Sequence, residues 1–390
     1  MGALRLVYIS PSRTPSRTAN SVYAVRLCAA LASLGHEVTL LVCRPTCAAK
    51  KLRAELERYY GVDLRGVRLR SVWSPFHRGE GLAIALLALV SLLGDRLRDA
   101  SPVAIMSRNL VASWLLSLVP RVHHLVELHD LERGVRARLQ RHLLKSSRVK
   151  AVVLSKALMA LLDEAHGVAP GRVRVFRGVP PPEVVPVDSD DRVTRREIEF
   201  GAGPEARALW VAYFGHLYPG RGIDLIEALA PRHPTAPFLI FGGNDREIRE
   251  LRHRSLAPNL HVMGHVPPAR AVCLMPLMDV LLMPYGHRVS LERRGTDTSR
   301  WMFPQKLAEY LAAGVPIVSA DLPVLREVLE DGRNCLMATP DNIDSWSVCL
   351  ARLSESSALR ARLGHGAHET YRLDLARPAR TRAVLEFAFG

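Results

Sequence analysis

Aromatic residues make up only 6% of this 390-residue chain, cysteine occurs six times, and no apolar run is long. Each shortage removes a class of protein. Few rings argue against a surface that stacks single-stranded bases, and the arginines are spread along the chain instead of gathered in one tail, so nucleic acid is not the expected partner. The longest apolar run, Gly81 to Leu93, falls short of the about 20 residues that cross a bilayer and reads as a core helix. Leu4 to Ile9 is too short for the core of a secretion signal and runs into Ser10-Pro11-Ser12-Arg13. Cys28, Cys43, Cys47, Cys273, Cys335 and Cys349 contain one C-x3-C pair, Cys43 and Cys47, with no second cluster to complete a zinc site. They read as reduced, mostly buried thiols of a cytoplasmic protein, with no metal site.

What the chain has in excess is positive charge. A net charge of +15 and a pI near 10.1 point to an anionic partner such as acidic lipid or a phosphorylated substrate. A hydrophobic content of 48% against 23% charged residues excludes wholesale disorder, and the length suffices for two substantial domains.

The first half alternates short β-branched runs with helical patterns. Strands are expected at Arg5 to Ser10, His36 to Val42, Val67 to Val72, Val103 to Arg108, His123 to His129 and Ala151 to Ser155, with a helix from Asn20 to Leu34 stopped by Gly35. From Val173 the rhythm changes. Pro180-Pro181-Pro182, Pro186 and Asp188-Ser189-Asp190-Asp191 read as an extended connector, in which the D-x-D triplet lacks the strand end that a metal motif needs. Alternation then restarts with strands at Ala208 to Phe214, Phe238 to Phe241, Leu260 to Met263, Val280 to Met283, Pro316 to Ser319 and Cys335 to Met337. Helices fit Gly222 to Leu229, Asp245 to Arg254, Pro304 to Ala313 and Asp341 to Leu353. The expected architecture is α/β, two Rossmann-like domains facing each other across a cleft: residues 1–178 completed by 375–390, a connector over 179–206, and 207–374.

Three stretches of the second half suit an anion. In Gly295 to Gly314, Pro304 suits the first helical position and Gly314 the left-handed stop, and Leu307 and Leu311 mark a core face. The hydroxyls of Thr298 and Ser299 stand before a helix entrance at Gln305, and Lys306 and Glu309 share a face. A surface ion pair explains those last two equally well. Lysine stands only at 50, 51, 145, 150, 156 and 306, so Lys306 is the sole lysine after the connector. The second stretch, Phe214 to Gly222, runs from a strand through Gly215, His216, Gly220 and Arg221 into a helix, with glycines that permit close approach and a guanidinium for a diphosphate. In the third, Gly242 and Gly243 permit a nucleotide against the sheet edge, or form a tight turn capped by Asn244 or Asp245.

In the first half, Asn20 and Ser21 open the first long helix, where they hold a ligand or simply cap it. The basic run Arg133, Arg136, Arg138, Arg141, His142, Lys145, Arg148, Lys150 gives a helix with a positive face, either solvated or docked peripherally on an anionic membrane.

Taken together, Ser10-Pro11, Ala19-Asn20-Ser21, Leu34-Gly35-His36-Glu37-Val38, Glu127-Leu128-His129-Asp130, Gly215-His216, Gly220-Arg221-Gly222, Lys306 with Glu309-Tyr310-Leu311-Ala312-Ala313-Gly314, and Asp321 to Glu327 resemble a retaining GT-B glycosyltransferase of the family-four type. The resemblance implies transfer of a sugar from a nucleotide diphosphate donor, without a metal, to a glycan or lipid-linked acceptor. It implies Glu309 at the donor ribose, His216 and Arg221 as a pair gripping the diphosphate, and His129 near the donor sugar. It also implies a glutamate eight residues before Glu309; Trp301 stands there, so Lys306, Asp297 and Thr298 take over that contact or activity is lost. Arg221, Lys306 and His129 are thus the expected catalytic residues; His216, Gly220, Asp297, Thr298, Gln305, Glu309, Asn20, Gly243 and Val266 are the expected donor contacts, the last through backbone groups of Gly264-His265-Val266. The base of the donor is not specified. A nucleotide-sugar epimerase of the same fold and a non-catalytic nucleotide-sugar binder are the alternatives.

Overall fold

The computed structural model describes residues 2–44, 52–73, 80–98, 103–119, 122–177, 179–182, 184–201, 203–290, 297–376 and 378–390. Cys47, Lys50, Lys51, Gly295 and Thr296 lie outside the described residues. The chain separates into two compact units, Met1–Val179 with Arg377–Gly390, and Pro180–Ala376.

Unit 1 runs β1 (Arg5–Arg13), α1 (Ala19–Ser33), β2 (Glu37–Arg44), α2 (Leu52–Tyr60), β3 (Val67–Trp73), α3 (Glu80–Arg98), β4 (Val103–Ser107), α4 (Leu110–Ser117), β5 (His123–Leu128), α5 (Gly134–Lys145), β6 (Val149–Val153), α6 (Lys156–His166) and β7 (Val173–Val175). The strands are parallel in the order β3-β2-β1-β4-β5-β6-β7. Leu6, Val7, Tyr8 and Ile9 of β1 are all buried, because helices cover both sheet faces; hence strands here read as unbroken apolar runs. The apolar run at 81–93 lies in α3, with Ile84, Ala85 and Ala88 in the core and Leu82, Leu86 and Val90 exposed. Among the described residues no helix is long and apolar enough to cross a membrane.

Unit 2 runs α7 (Ser189–Phe200), β8 (Val211–Gly215), α8 (Ile223–Leu229), β9 (Phe238–Gly242), α9 (Asp245–Arg252), β10 (Leu260–Gly264), α10 (Pro268–Leu274), β11 (Val280–Met283), α11 (Gln305–Ala313), β12 (Ile317–Ala320), β13 (Leu336–Ala338), α12 (Ile343–Glu355) and α13 (Ser357–Thr370). Its parallel sheet has the order β10-β9-β8-β11-β12-β13. The chain then returns to unit 1 through α14 (Pro378–Phe389), where Leu385 is buried and the Lys150 ammonium donates to the Phe387 carbonyl.

The extended connector is corrected. Residues 189–200 form α7, whose cap is Asp188 accepting from the Asp191 N–H, and whose stop is Gly201 at φ 62°. The D-x-D aspartate thus caps a helix. Arg196 of α7 is fully buried and donates to the carbonyls of Leu277, Ala206 and Ala208 and to Asp279 Oδ2 at 2.7 Å, which ties the helix to the base of unit 2. Each sheet reverses its strand order once, between β1 and β4 in unit 1 and between β8 and β11 in unit 2. Crevices beyond the strand ends at such reversals are where open α/β sheets bind ligands.

Candidate active site

In unit 2, β8 ends at Gly215 and passes into the loop that carries Arg221. Gly220 (φ 80°) and Gly222 (φ 77°) adopt left-handed backbone, and a Cβ would stand 2.0 Å from the Arg288 carbonyl oxygen at the first and 1.8 Å from that of Pro284 at the second. Only glycine lets this loop lie on the segment after β11. The Arg221 guanidinium is thereby set over the Tyr285 ring, 5.2 Å from its centroid.

Lys306 arrives from the other side of the strand reversal. Its helix is fixed to β8 because the Phe214 N–H donates to Tyr310 Oη at 2.8 Å, and Leu307 and Leu311 are buried beneath it. The Lys306 ammonium stands 3.8 Å from the Tyr213 ring centroid and 5.1 Å from that of Tyr285. A Cβ at Gly215 would lie 2.6 Å from it, so that glycine makes the room. Aromatic faces attract a cation but leave its hydrogen-bond donors unsatisfied. Lys306 Nζ, Gln305 Nε2 and Arg221 Nε are all shielded from solvent and have no hydrogen-bond partner among the described residues, and the buried Tyr285 hydroxyl has the Arg221 side chain beside it. Burial, followed by the Arg221 charge, drives the Lys306 ammonium well below its ordinary pKa, against a weaker pull from Glu309. A shielded, underpaired pair of cations is what an entering anion satisfies.

Other expected residues are placed as follows. Pro304 caps α11 with ψ 127° instead of opening it, and Gln305 is the first helical residue. Glu309 is buried on that helix. Thr298 does not offer its hydroxyl proton to a ligand, since Oγ1 donates to the Val289 carbonyl at 3.2 Å. Asp297 Oδ1 accepts from the N–H groups of Val289 and Ser299, and although burial opposes it these bonds hold the carboxyl below its usual range. The pair ties Val289 to the stretch Asp297 to Ser299. At Gly243 a Cβ would meet Leu217 Cδ1 at 2.6 Å, so the half-buried Leu217 side chain fills that space, and Asn244 caps α9 in a capping box with Glu247. Val266 follows β10 in the loop before α10. His216, the other member of the expected diphosphate pair, carries no charge of its own at neutral pH. Burial, then the charges of Arg221 and Lys306, push it down to about 4, so it is a neutral imidazole stacked 4.7 Å from Tyr218 at neutral pH.

In unit 1, Asn20 is the second residue of α1, but Thr18 is the cap, and Ser21 is buried with its hydroxyl donated to the Ser16 carbonyl at 2.9 Å. His129 follows β5, edge-on to Tyr23 at 5.7 Å, and burial together with the Arg108 charge holds it well below its ordinary pKa. The basic helix α5 ends at Lys145; Arg133, Arg138, Arg141, His142 and Lys145 are exposed, while Lys150 belongs to β6. Cys28, Cys43, Cys335 and Cys349 are buried thiols, and Cys273 is exposed.

Residues 208–356 match the family described as glycosyl transferases group 1, and residues 20–178 match the glycosyl transferase 4-like domain. The chain belongs to the group 1 glycosyl transferases. Among curated relatives, a phosphatidyl-myo-inositol mannosyltransferase of Mycolicibacterium smegmatis is 30% identical over 148 residues, 37% of this chain and 35% of that protein. TuaH of Bacillus subtilis, described as a putative teichuronic acid biosynthesis glycosyltransferase, is 29% identical over 117 residues, 29% of this chain and 27% of that protein. The chain thus aligns with about a third of the length of these relatives. Among solved structures, HepE from Anabaena in complex with UDP has a TM-score of 0.70 at 15% identity, covering 98% of this chain and 99% of that one. Sucrose-phosphate synthase from Thermosynechococcus elongatus has a TM-score of 0.75 at 16% identity, covering 98% of both. These likenesses establish the GT-B fold of this group 1 member.

Sequence reasoning passed over Tyr213 and Tyr285, the walls of the lysine cage. Tyr213 lies inside an apolar strand and Tyr285 just past another, so each looks like core. The available signal was an aromatic hydroxyl in or just past each of the two strands that flank the reversal point.

Proposed function

We propose that the protein transfers a sugar from a nucleotide diphosphate donor to a glycan or lipid-linked acceptor, with retention at the anomeric carbon. The observation that carries this reading is the ammonium of Lys306, shielded and without a hydrogen-bond partner among the described residues, beside the Arg221 guanidinium. A diphosphate entering there gives both cations an acceptor, and Gln305 Nε2 and the Tyr285 hydroxyl add neutral donors. As the anomeric C–O bond breaks, the electron pair leaves with the diphosphate, and preorganised cations stabilise that developing charge. The acceptor hydroxyl forms the new bond on the same face and passes its proton to the departing phosphate oxygen. Glu309 is assigned to the donor ribose, His129 to the sugar, and Asp297 and Thr298 to holding the loop that leads into α11. The UDP bound to the Anabaena neighbour makes uridine the first base to test.

The test is a thermal-shift screen of UDP, GDP and ADP and their common sugars, followed by transfer assays with any donor that binds. A ligand at a hundred times its dissociation constant stabilises the fold by about 2.7 kcal/mol. No shift with any nucleotide diphosphate overturns the reading. One observation favours a second reading: Trp301 is buried where the resemblance implies a sugar-binding glutamate. Binding without transfer or conversion would make the protein a nucleotide-sugar binder. Conversion of a bound donor with no acceptor present would make it an epimerase. The exposed basic face of α5 is the part of unit 1 assigned to acidic lipid, and co-sedimentation indifferent to anionic lipid content removes that assignment.

A further inference from the structure

A second cluster of titratable groups lies at the strand reversal of unit 1, and the reaction as proposed does not use most of it. Glu127, the next-to-last residue of β5, is buried. The hydroxyl of Tyr8, from β1, donates to Glu127 Oε2 at 2.7 Å, and that of Tyr23, from α1, donates to Oε1 at 3.2 Å. Oε2 also stands 3.8 Å from His129 Nε2, beyond a hydrogen bond but within reach of the carboxylate's charge. The Tyr23 ring meets the imidazole edge-on at 86°, so one phenol both bonds the carboxyl and walls the histidine. Three groups from separate elements therefore converge on one carboxyl.

A buried carboxyl costs far more than the apolar residue that β5 would otherwise carry. Packing alone gives no reason for it. Two neutral phenols donate to it and neither is an acid partner, which is the arrangement that keeps a carboxylate able to accept one more proton donor. The neutral imidazole beside it has one N–H, and the carboxyl's position selects which nitrogen bears it.

We propose that Glu127 is a positioning residue, held between the phenols of Tyr8 and Tyr23, whose carboxylate charge biases His129 toward the Nε2–H imidazole and leaves Nδ1 as the acceptor for the ligand. This rests on the reading of His129 as the group that meets the sugar. Burial pushes Glu127 up to about 7, with the Tyr8 bond, the Arg108 charge and the Tyr23 bond working the other way. The charged and titratable groups around it are those two phenols, Cys28 of α1, Arg108 after β4, and His129; Asp130 acts on Arg108, and Arg380 of α14 acts on Tyr23. The carboxylate form, and with it the favoured tautomer, is thus gained as pH rises through about 7.

The test is nitrogen-15 NMR of histidine-labelled full-length protein, with His129 assigned by the signal missing from His129→Gln. In the wild type we expect the Nε2–H tautomer above pH 8 and a change in the ring shifts with a midpoint near 7. Glu127→Gln should abolish that change, and Tyr8→Phe should move it to higher pH, since the lost phenol bond favours the carboxylate. An Nδ1–H tautomer in the wild type, or an unaltered titration in Glu127→Gln, overturns the proposal. If Glu127→Gln does not fold, Tyr8→Phe decides, with an unmoved midpoint as the failing result. UDP binding is measured on the same samples. Its absence from the wild type counts against the donor reading alone, while the tautomer result stands or falls separately.

Discussion

Two cations of unit 2 lose their water, and they are treated in opposite ways. Arg196, on α7, spends its guanidinium on three carbonyls and Asp279 and lies over the Trp210 ring at 4.9 Å. Lys306, on α11, is given two aromatic faces and no acceptor. The first arrangement is complete as it stands, and its worth is stability. The second is incomplete, and its worth appears when something else supplies the missing acceptor. Burial of charge is therefore no guide to function until partners are counted.

That contrast can be broken from either side. Asp279→Asn leaves Arg196 buried without its counter-charge and should cost about 3–5 kcal/mol in chemical denaturation, with the UDP affinity of the remaining folded protein unchanged. Lys306→Ala or Arg221→Ala should do the reverse: UDP affinity falls roughly 100-fold by calorimetry, as expected for bonds to charged groups, while the ligand-free melting temperature holds or, for Lys306→Ala, rises. A Lys306→Ala protein that melts lower and binds normally would erase the distinction.

A smaller effect comes from His216, which burial holds down to about 4 in the empty protein. A bound diphosphate raises that value, so the complex takes up a proton that the free protein does not. UDP affinity should then rise as pH falls from 7 toward 5, by at most about tenfold per pH unit, and His216→Ala should flatten the profile. Smallest of all is Tyr285→Phe. Removing a hydroxyl whose neighbour is the Arg221 side chain should leave the melt nearly unchanged and weaken UDP about three- to tenfold.

The strands were legible because both sheets are parallel and covered on two faces, so Val280 to Met283 and its counterparts stand out as short unbroken apolar runs. Lys306 was legible as an exception in an arginine-rich chain. What stayed hidden has physical causes. Helix α7 follows Pro180-Pro181-Pro182 and Pro186, which read as linker, although Asp188 and Gly201 were present as its cap and stop. Helix α13 went unremarked as well. The charge of His216 could not be read from its residue type, because the burial that keeps it neutral comes from the fold. The roles of Tyr213 and Tyr285 depend on contacts across the strand reversal, and that of Glu127 on partners 119 and 104 residues away. No local pattern encodes these.

Helix α14 has a consequence for how the molecule is made. Leu385 and Phe387 are core residues of unit 1, and the Arg174 guanidinium lies 4.7 Å over the Phe387 ring, yet all of unit 2 is translated before them. A ribosome therefore releases the last wall of the first-built half only after the second half is finished. Until then the nascent amino-terminal half carries an open apolar seam, the stage at which a chaperone or a premature stop decides its fate.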